Sequence, residues 1–375
     1  MASAEVRGRS VRIDALRGLA IALVFATHLQ GYFFEGRSPF PFPFARTWTG
    51  VDLFFVISGC VVTESVLRSR PLGFYIRRAT RLLPVSMLGL AWVWAGWRLT
   101  GNTWRWGEPS LLWRETVAVL LYYYNFFYIS EGQWPLKLGW YWSLSLEEQF
   151  YILFPPLAWW IARPKVGGRR ALGVVALTGA LVIAFLLKPV WFEGRTTLDP
   201  WVKYWSAWKW DRLLAGAAIA ALVSASRRSS KGRAVMAIAA IAILLVAESV
   251  WAETPAFASA AVLGASTWLV VWARGAGPAA RGAGLSGMVE NVAAWLGRRA
   301  YGIYVIHIPV QWTYLEIARR QVGSWEVVPL VAITLVLAEA VYRALEHPVT
   351  EWGRLAARGL RKNPQFGASD LRKYS

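Results

Sequence analysis

Apolar segments of near-spanning length recur along the whole chain, and short polar stretches separate them. A helix needs about 20 apolar residues to cross the hydrocarbon core of a bilayer, so this pattern predicts a polytopic helical membrane protein. We expect an all-α transmembrane bundle of about ten spans, with no separate soluble domain. The predicted spans are 13–34, 48–66, 83–98, 141–162, 171–188, 204–223, 234–252, 256–273, 298–317 and 327–345.

The basic residues predict how these spans are oriented. Their clusters all fall on one side of the membrane if there are ten spans and both termini are cytoplasmic, as the positive-inside rule requires. We therefore expect a multi-pass membrane protein, with a transmembrane domain over 1–354 and a basic, loosely ordered cytoplasmic tail over 355–375. The clusters are Arg7, Arg9 and Arg12; Arg68, Arg70, Arg77, Arg78 and Arg81; Arg163, Lys165, Arg169 and Arg170; Arg227, Arg228, Lys231 and Arg233; and Arg274, Arg281, Arg298 and Arg299.

The segment 115–129 is apolar and aromatic enough to be an eleventh span. Counting it would place the arginine clusters that follow the fourth and sixth spans outside, against the charge pattern. We therefore interpret it as an interfacial or re-entrant helix on the extracytoplasmic side.

Composition narrows the class of protein and of partner. The chain is 56% hydrophobic and 17% charged, whereas soluble domains are about 25% charged. The net charge of +19 could indicate nucleic-acid binding, but the basic residues lie in short loops between apolar segments. We therefore expect membrane lipids and anionic ligands, and no nucleic acid. The single cysteine, Cys60, excludes an intramolecular disulfide, and we expect no metal site and no bound cofactor.

His28 lies well inside the first predicted span. Burial disfavours the imidazolium, so a neutral ring with one proton-accepting nitrogen is expected. Ionisable groups inside a membrane are costly and usually line a pathway or a reaction site. A histidine that hydrogen-bonds a neighbouring helix for packing alone is the alternative, and this segment leaves both open.

Asp52 lies near the outer end of the second span, at a depth similar to that of His28. The two spans are antiparallel neighbours joined by a short loop. A carboxylate that fixes the tautomer of a neutral histidine is the usual arrangement around a general base. We therefore predict that Asp52 contacts and orients His28.

Arg78 and Arg81 are three residues apart, so they share one face of a helix at the inner end of the second span. Guanidinium groups bind phosphate bidentately, which suits a phosphorylated donor such as acyl-CoA. An ordinary positive-inside loop is the alternative. Pro84 is expected to end or kink this helix before the third span.

Glu147 and Glu148 enter the fourth span from the outside and follow Trp142. Paired acids there could bind sugar hydroxyls, with the tryptophan as a stacking face or as part of the aromatic belt.

Later in the sequence, Asp211 and Arg212 lie within the sixth span and His307 lies within the ninth. Asp211 and Arg212 could pair with each other or with groups on other spans, and we expect His307 to be structural or ligand-lining.

Several motifs in the same order resemble the acyltransferase-3 family of integral membrane O-acyltransferases, from about residue 13 to 351. They are DALRGLA with a histidine eleven residues after its arginine, GVDLFFVISG, RRATR, YWSLSLEEQFYILFP, RRAYGIYVIHIPV and EHP. Many cell-wall-modifying members of the family carry an additional extracytoplasmic domain, for which this sequence has no counterpart.

The resemblance implies about ten spans, a cytoplasmic acyl-CoA co-substrate, and transfer of acetyl or similar groups to hydroxyls of carbohydrates or natural products. It also implies that His28 is the essential first-span histidine, Arg17 its motif partner, Arg78 and Arg81 the donor-binding pair, and Glu147 an acidic site residue. Arg17 lies about 16 Å below His28 at helical rise, so we assign Arg17 to the donor entrance.

The resulting hypothesis is an acyl-CoA-dependent O-acyltransferase of a bacterial inner (plasma) membrane that acts on a carbohydrate such as a cell-surface polysaccharide. His28 would act as base toward the acceptor hydroxyl, or carry the acyl group transiently, while Glu147 helps to position the acceptor. A transporter or flippase for an acyl group or glycolipid is the alternative, because buried Arg, His and Asp also suit a proton-coupled pathway.

Overall fold

The computed structural model describes residues 10–29, 49–131, 136–162, 206–222, 255–275, 285–319 and 323–362, and every regular element in these ranges is helical. A 3₁₀ turn (Ser324–Glu326) precedes the helix Val327–Val341, and a π-helical turn (Tyr342–Glu346) joins that helix to the helix His347–Lys362. The helices are α1 (Val11–His28), α2 (Thr49–Leu67), α3 (Pro71–Thr100), α4 (Thr103–Trp106), α5 (Pro109–Leu120), α6 (Tyr124–Ser130), α7 (Tyr141–Ala162), α8 (Ser206–Leu222), α9 (Pro255–Gly275), α10 (Leu285–Ala318), α11 (Val327–Val341) and α12 (His347–Lys362).

Apart from α3 and α10, which begin well before the predicted spans 83–98 and 298–317, the apolar helices match the predicted spans where the structure describes them. Among the described residues, three stretches are long and apolar enough to cross a membrane: Thr49–Leu67, Pro71–Thr100, and Ser324–Gly359 as one continuous helical run. The fourth predicted span coincides with α7. The fifth and seventh predicted spans, 171–188 and 234–252, lie outside the described residues, so the count of ten stays a prediction.

Two helix pairs pack closely because glycines replace side chains at their contacts. On α10, a Cβ added at Gly297 would overlap the carbonyl oxygen of Asp14 on α1. On α2, a Cβ at Gly59 would overlap the carbonyl oxygen of Leu213 on α8. Small residues let backbones approach in this way when no hydrophobic effect drives helices together. The α1–α10 and α2–α8 contacts form the centre of the bundle.

The third span begins earlier than predicted. Helix α3 starts at Pro71 rather than near residue 83, and Pro84 lies inside it without ending it. Proline is favoured in the first turn of a helix, which explains the start. Helix α3 ends before Gly101, whose φ of 65° is a left-handed conformation that glycine adopts freely. Arg78 and Arg81 therefore lie on a long helix and not in a loop before one.

The segment 115–129 is divided between two helices, of 12 and 7 residues. The chain reverses between them at Tyr122, which has a φ of 57°. Neither helix reaches the length of about 20 residues that a span requires. This geometry agrees with the interpretation of the segment as a structure that does not span.

A buried carboxylate, Glu115, holds this region together. It is fully buried and accepts hydrogen bonds from the Tyr124 hydroxyl at 2.6 Å and from the backbone N–H groups of Lys137 and Leu138 at 3.0 and 2.6 Å. Burial raises the pKa of this carboxyl, and the hydrogen bonds oppose that rise. This role is not predictable from the sequence, because the three donors come from two separate segments.

The last helix extends further than predicted. We placed the start of a loosely ordered tail at residue 355, but α12 runs without a break to Lys362 and packs along α3. The boundary between 354 and 355 therefore falls inside a helix. Helix α12 is amphipathic, and burying one face against α3 keeps it folded past that point.

Candidate functional site

Two histidines from distant parts of the chain meet in the interior. Nδ1 of His28, at the end of α1, lies 2.8 Å from Nε2 of His307 on α10. The exposed fractions of the two residues are 8% and 0%. The ring centroids are 4.9 Å apart, and Phe25 packs edge-on against His307. This histidine pair, His28 and His307, is a buried polar contact between α1 and α10.

The backbone of α10 determines which ring nitrogens of the pair carry protons. Nδ1 of His307 lies 2.7 Å from the carbonyl oxygen of Tyr304 and 3.1 Å from that of Ile303. A carbonyl oxygen only accepts, so Nδ1 of His307 carries the proton and its Nε2 is the acceptor. Nδ1 of His28 therefore donates to it, and Nε2 of neutral His28 carries the lone pair. That is the tautomer a general base requires.

Asp52 does not supply the predicted orienting contact to His28. It is fully buried, and its Oδ1 accepts from Nζ of Lys209 at 2.8 Å and lies 3.1 Å from Nε of Arg212. Arg212 also donates to Asp211 at 2.7 Å, which is one of the pairings that the sequence left open. The reason is helix packing: α2 turns this face toward α8, while α1 turns His28 toward α10. Among the described residues, His28 therefore contacts His307 and not Asp52.

A charged cleft lies between α1, α2, α3, α7 and α10. It contains about 620 Å³ of atom-free space, part of which is open to solvent. Three arginines (Arg17, Arg78 and Arg81) and one carboxylate (Glu147) line it, so its charge is positive. We call this space the arginine cleft. Its other lining residues are Val51, Phe54, Phe55, Ser58, Leu82, Ser143, Leu144, Tyr151, Gly297, Ala300, Tyr301 and Tyr304.

One face of α1 and one face of α10 extend from the arginine cleft toward the histidine pair. Arg17 and His28 are eleven residues apart, which is close to three full turns, so both lie on the same face of α1. On α10, Tyr301 and Tyr304 line the cleft, and His307 follows on the same face one turn later. Tyr304 joins the two parts of the site, since its ring lines the cleft and its carbonyl oxygen holds His307.

Aromatic rings hold Arg78 at the wall of the cleft. Its guanidinium lies 4.7 Å from the ring centroid of Tyr151 and 5.7 Å from that of Phe74. Such cation–π contacts orient the group and leave its N–H donors available for an anion. Arg17 is held in a different way, by Asp14 at 3.4 Å.

The two glutamates of α7 lie in different surroundings. Glu147 lies in the arginine cleft with the predicted donor-binding residues, whereas we had expected it near the acceptor. Glu148 lines a second, mainly apolar space between α3, α5, α7 and α10. Adjacent residues on a helix point about 100° apart, which explains the separation. Trp142 is buried and meets Phe55 edge-on at 6.2 Å, so it contributes to packing between α7 and α2.

No three His, Cys, Asp or Glu side chains come together as a metal-ion site among the described residues. Cys60 is buried in the contact between α2 and its neighbours. The charged and titratable groups that the structure describes at the candidate site include imidazole, guanidinium and carboxylate groups.

The pairing of His28 with His307 is the candidate functional contact that sequence reasoning missed. Both histidines were singled out, but nothing in the sequence showed that α1 and α10 are neighbours. The signal available was the helical periodicity on α10, where residues 297, 301 and 304 share a face with 307. That face becomes informative only once the arginine cleft is known.

A family model described as an acyltransferase domain matches residues 10–343, which is most of the chain. The chain belongs to the acyltransferase-3 family. The resemblance drawn from the motifs is thereby confirmed. No solved structure is significantly similar to the chain.

Several relatives of this acyltransferase-3 protein are known bacterial proteins. The peptidoglycan O-acetyltransferase OatA of Listeria monocytogenes is 27% identical over 377 residues, which cover 91% of this chain and 56% of that protein. YrhL of Bacillus subtilis is also 27% identical, over 91% of this chain and 55% of its own length. The O-acetyltransferase OatA of Staphylococcus aureus is 32% identical over 159 residues, 38% of this chain and 24% of that protein. The chain thus spans about half the length of the first two relatives.

Proposed function

We propose that this protein is a membrane-bound O-acyltransferase that moves an acetyl group from cytoplasmic acyl-CoA to a hydroxyl of a carbohydrate, such as a unit of a cell-surface polysaccharide. The observation that supports it most is the arginine cleft, which leads along two helix faces to a buried histidine pair. Three guanidinium groups fit the phosphates of a CoA donor. The names of the relatives support an acetyl donor group and a glycan acceptor.

In the proposed reaction, His28 acts as the general base. Its Nε2 accepts the proton of the acceptor hydroxyl while the hydroxyl oxygen forms a bond to the thioester carbonyl carbon. The carbon–sulfur bond then breaks, and the CoA thiolate takes the proton from the imidazolium. Acetyl ester and CoA are the products, and His28 returns to its neutral form.

The proposed topology places the two substrates on opposite sides. Ten spans with both termini in the cytoplasm put Arg17, Arg78 and Arg81 toward the inner face of a bacterial inner membrane. CoA would enter there, and the acceptor would reach His28 from the other face. Glu147, which lies with the arginines, would orient them toward the donor rather than bind the acceptor.

His28→Ala is expected to abolish most acetyl transfer, with a fall of about 100- to 10,000-fold, the range that a general base contributes. The measurement is transfer of labelled acetyl from acetyl-CoA to soluble peptidoglycan fragments by the purified chain in detergent. The matched control is His347→Ala, which removes an exposed histidine away from the arginine cleft. Equal transfer by folded His28→Ala and by the wild-type protein would refute the mechanism. Vesicle uptake of acceptor without acetyl ester formation would favour the transporter alternative.

Arg81→Ala is expected to raise KM for acetyl-CoA by about 10- to 100-fold, because one charge-assisted contact to a phosphate contributes about 1.5–3 kcal/mol. A group that holds only the donor should leave kcat much less affected. Initial rates over a range of acetyl-CoA concentrations measure both constants.

The matched control for Arg81 is Arg77→Ala on the same helix. Arg77 carries the same charge but donates to the Ser69 hydroxyl and is not part of the cleft lining. An equal rise in KM in both variants would mean that general positive charge, and not the cleft, attracts the donor.

A further inference from the structure

A second cavity adjoins the arginine cleft. It contains about 400 Å³ of atom-free space between α3, α5, α7 and α10, part of which is open to the outside, and the exposed surface of its lining is mainly apolar. Leu83, Met87 and Leu120 lie at this space and are among the exposed large apolar residues of the protein. We call it the apolar chamber. None of the groups assigned to donor binding or to the base lines it.

The arginine cleft and the apolar chamber share a wall of three residues, Leu82, Leu144 and Tyr301, which line both spaces. Leu82 directly follows Arg81, and Tyr301 lies one turn before Tyr304 on α10. An acyl chain that extends from a donor held at Arg81 toward Tyr304 therefore passes this wall.

Hydrogen bonds hold the wall in place. The Tyr301 hydroxyl donates to the carbonyl oxygen of Leu82 at 2.8 Å and lies 2.7 Å from the hydroxyl of Ser86. Tyr141 ties the same turn of α3 to α7, because its hydroxyl donates to the carbonyl oxygen of Ser86 at 3.0 Å. A side chain held by two polar contacts on a neighbouring helix resists displacement by an apolar ligand, because moving it leaves buried polar groups unpaired.

We infer that Leu82, Leu144 and Tyr301 form a specificity wall that restricts the donor to short acyl groups by closing the arginine cleft toward the apolar chamber. The inference rests on the proposed function, since it concerns the thioester of the same donor. An acetyl group is short enough to lie beside the wall, whereas each further methylene of a longer acyl chain clashes with it. One methylene in an apolar pocket changes selectivity by about 10- to 200-fold. The apolar chamber provides the space that longer chains would occupy if the wall were shortened.

The test compares initial rates with acetyl-, propionyl- and butyryl-CoA for the full chain in detergent, with soluble peptidoglycan fragments as acceptor. The wild-type protein is expected to prefer acetyl- over butyryl-CoA by at least about 10-fold. Leu144→Ala, which opens the wall from α7, is expected to reduce that preference, measured as the ratio of kcat/KM for the two donors, by about 10-fold or more. Leu144→Val is expected to lie between the two.

Leu153→Ala is the matched control, because Leu153 is an exposed leucine of the same helix and lines neither space. It should keep the wild-type preference. An unchanged preference in folded Leu144→Ala and Leu144→Val, or equal use of butyryl- and acetyl-CoA by the wild-type protein, would overturn the inference.

Failure of the proposed function gives a different result. In that case, no donor supports transfer in any variant, including the wild-type protein. The rise in Tm that each acyl-CoA causes, monitored by tryptophan fluorescence, then tests the specificity wall independently, because this measurement needs no acceptor. The wall is supported if acetyl-CoA protects the wild-type protein more than butyryl-CoA does, and if the two donors protect Leu144→Ala equally. Equal protection by both donors in every variant overturns the inference.

Discussion

His307→Phe is expected to lower kcat for acetyl transfer by about 100- to 10,000-fold, with little change in KM for acetyl-CoA. Phenylalanine keeps a ring in the buried space but removes the nitrogen that accepts from Nδ1 of His28. Without that acceptor, the tautomer of His28 that carries its lone pair on Nε2 is no longer favoured. KM should stay close to wild type because His307 does not line the arginine cleft. Steady-state rates at several acetyl-CoA concentrations separate the two constants.

Two further variants distinguish this positioning role from packing. His307→Gln keeps an oxygen that can accept from His28, so it should recover part of the lost kcat, whereas a role in packing alone predicts no such recovery. His347→Phe makes the same change at an exposed histidine and should behave as wild type. A loss of kcat that is equal in the Phe and Gln variants would count against the tautomer argument.

The sequence was sufficient to predict the fold class because apolar periodicity and charge are local signals. The limits of α7 follow from one apolar run that the structure reproduces at 141–162. The motifs in their fixed order predicted the family. They also singled out His28, Arg17, Arg78 and Arg81 as candidate site residues. The arginines were separate predictions on two helices, and the structure brings them into one cleft.

What the sequence left open are the contacts between helices that are distant in the chain. Asp52 and His28 share a similar depth on adjacent spans, so a contact was reasonable, but depth does not specify the direction in which a side chain points. Close packing at Gly59 turns α2 toward α8, where Asp52 meets Lys209. Close packing at Gly297 brings α10 onto α1, where His307 meets His28. The register in which the helices pack at Gly59 and Gly297 therefore determines which residues Asp52 and His28 contact.

The ion-pair cluster around Asp52 carries the largest expected effect on stability. Asp52→Ala is expected to destabilise the folded protein by about 3–5 kcal/mol, because it leaves buried cations without their carboxylate. Lys209 and Arg212 have exposed fractions of 8% and 1%, so water cannot replace the lost charge. The single cysteine offers a direct readout: Cys60 is buried, and a thiol-reactive dye labels it only when the protein unfolds. A thermal ramp with that dye gives the shift in Tm.

A charge-balanced double variant separates electrostatics from the loss of volume. Asp52→Asn with Lys209→Met removes one charge of each sign and keeps the two side chains close to their original size. It should regain most of the stability that Asp52→Asn loses alone, since breaking a buried pair costs far more than replacing both partners. The matched control is Glu131→Ala, which removes a carboxylate from an exposed pair with Arg114 and should shift stability by less than about 1 kcal/mol. If the double variant were as unstable as Asp52→Asn, Asp52 would act through a contact other than its pair with Lys209. Full acetyl transfer by the folded double variant would further show that Asp52 supports the bundle at α2 and α8 and takes no part in the chemistry at His28.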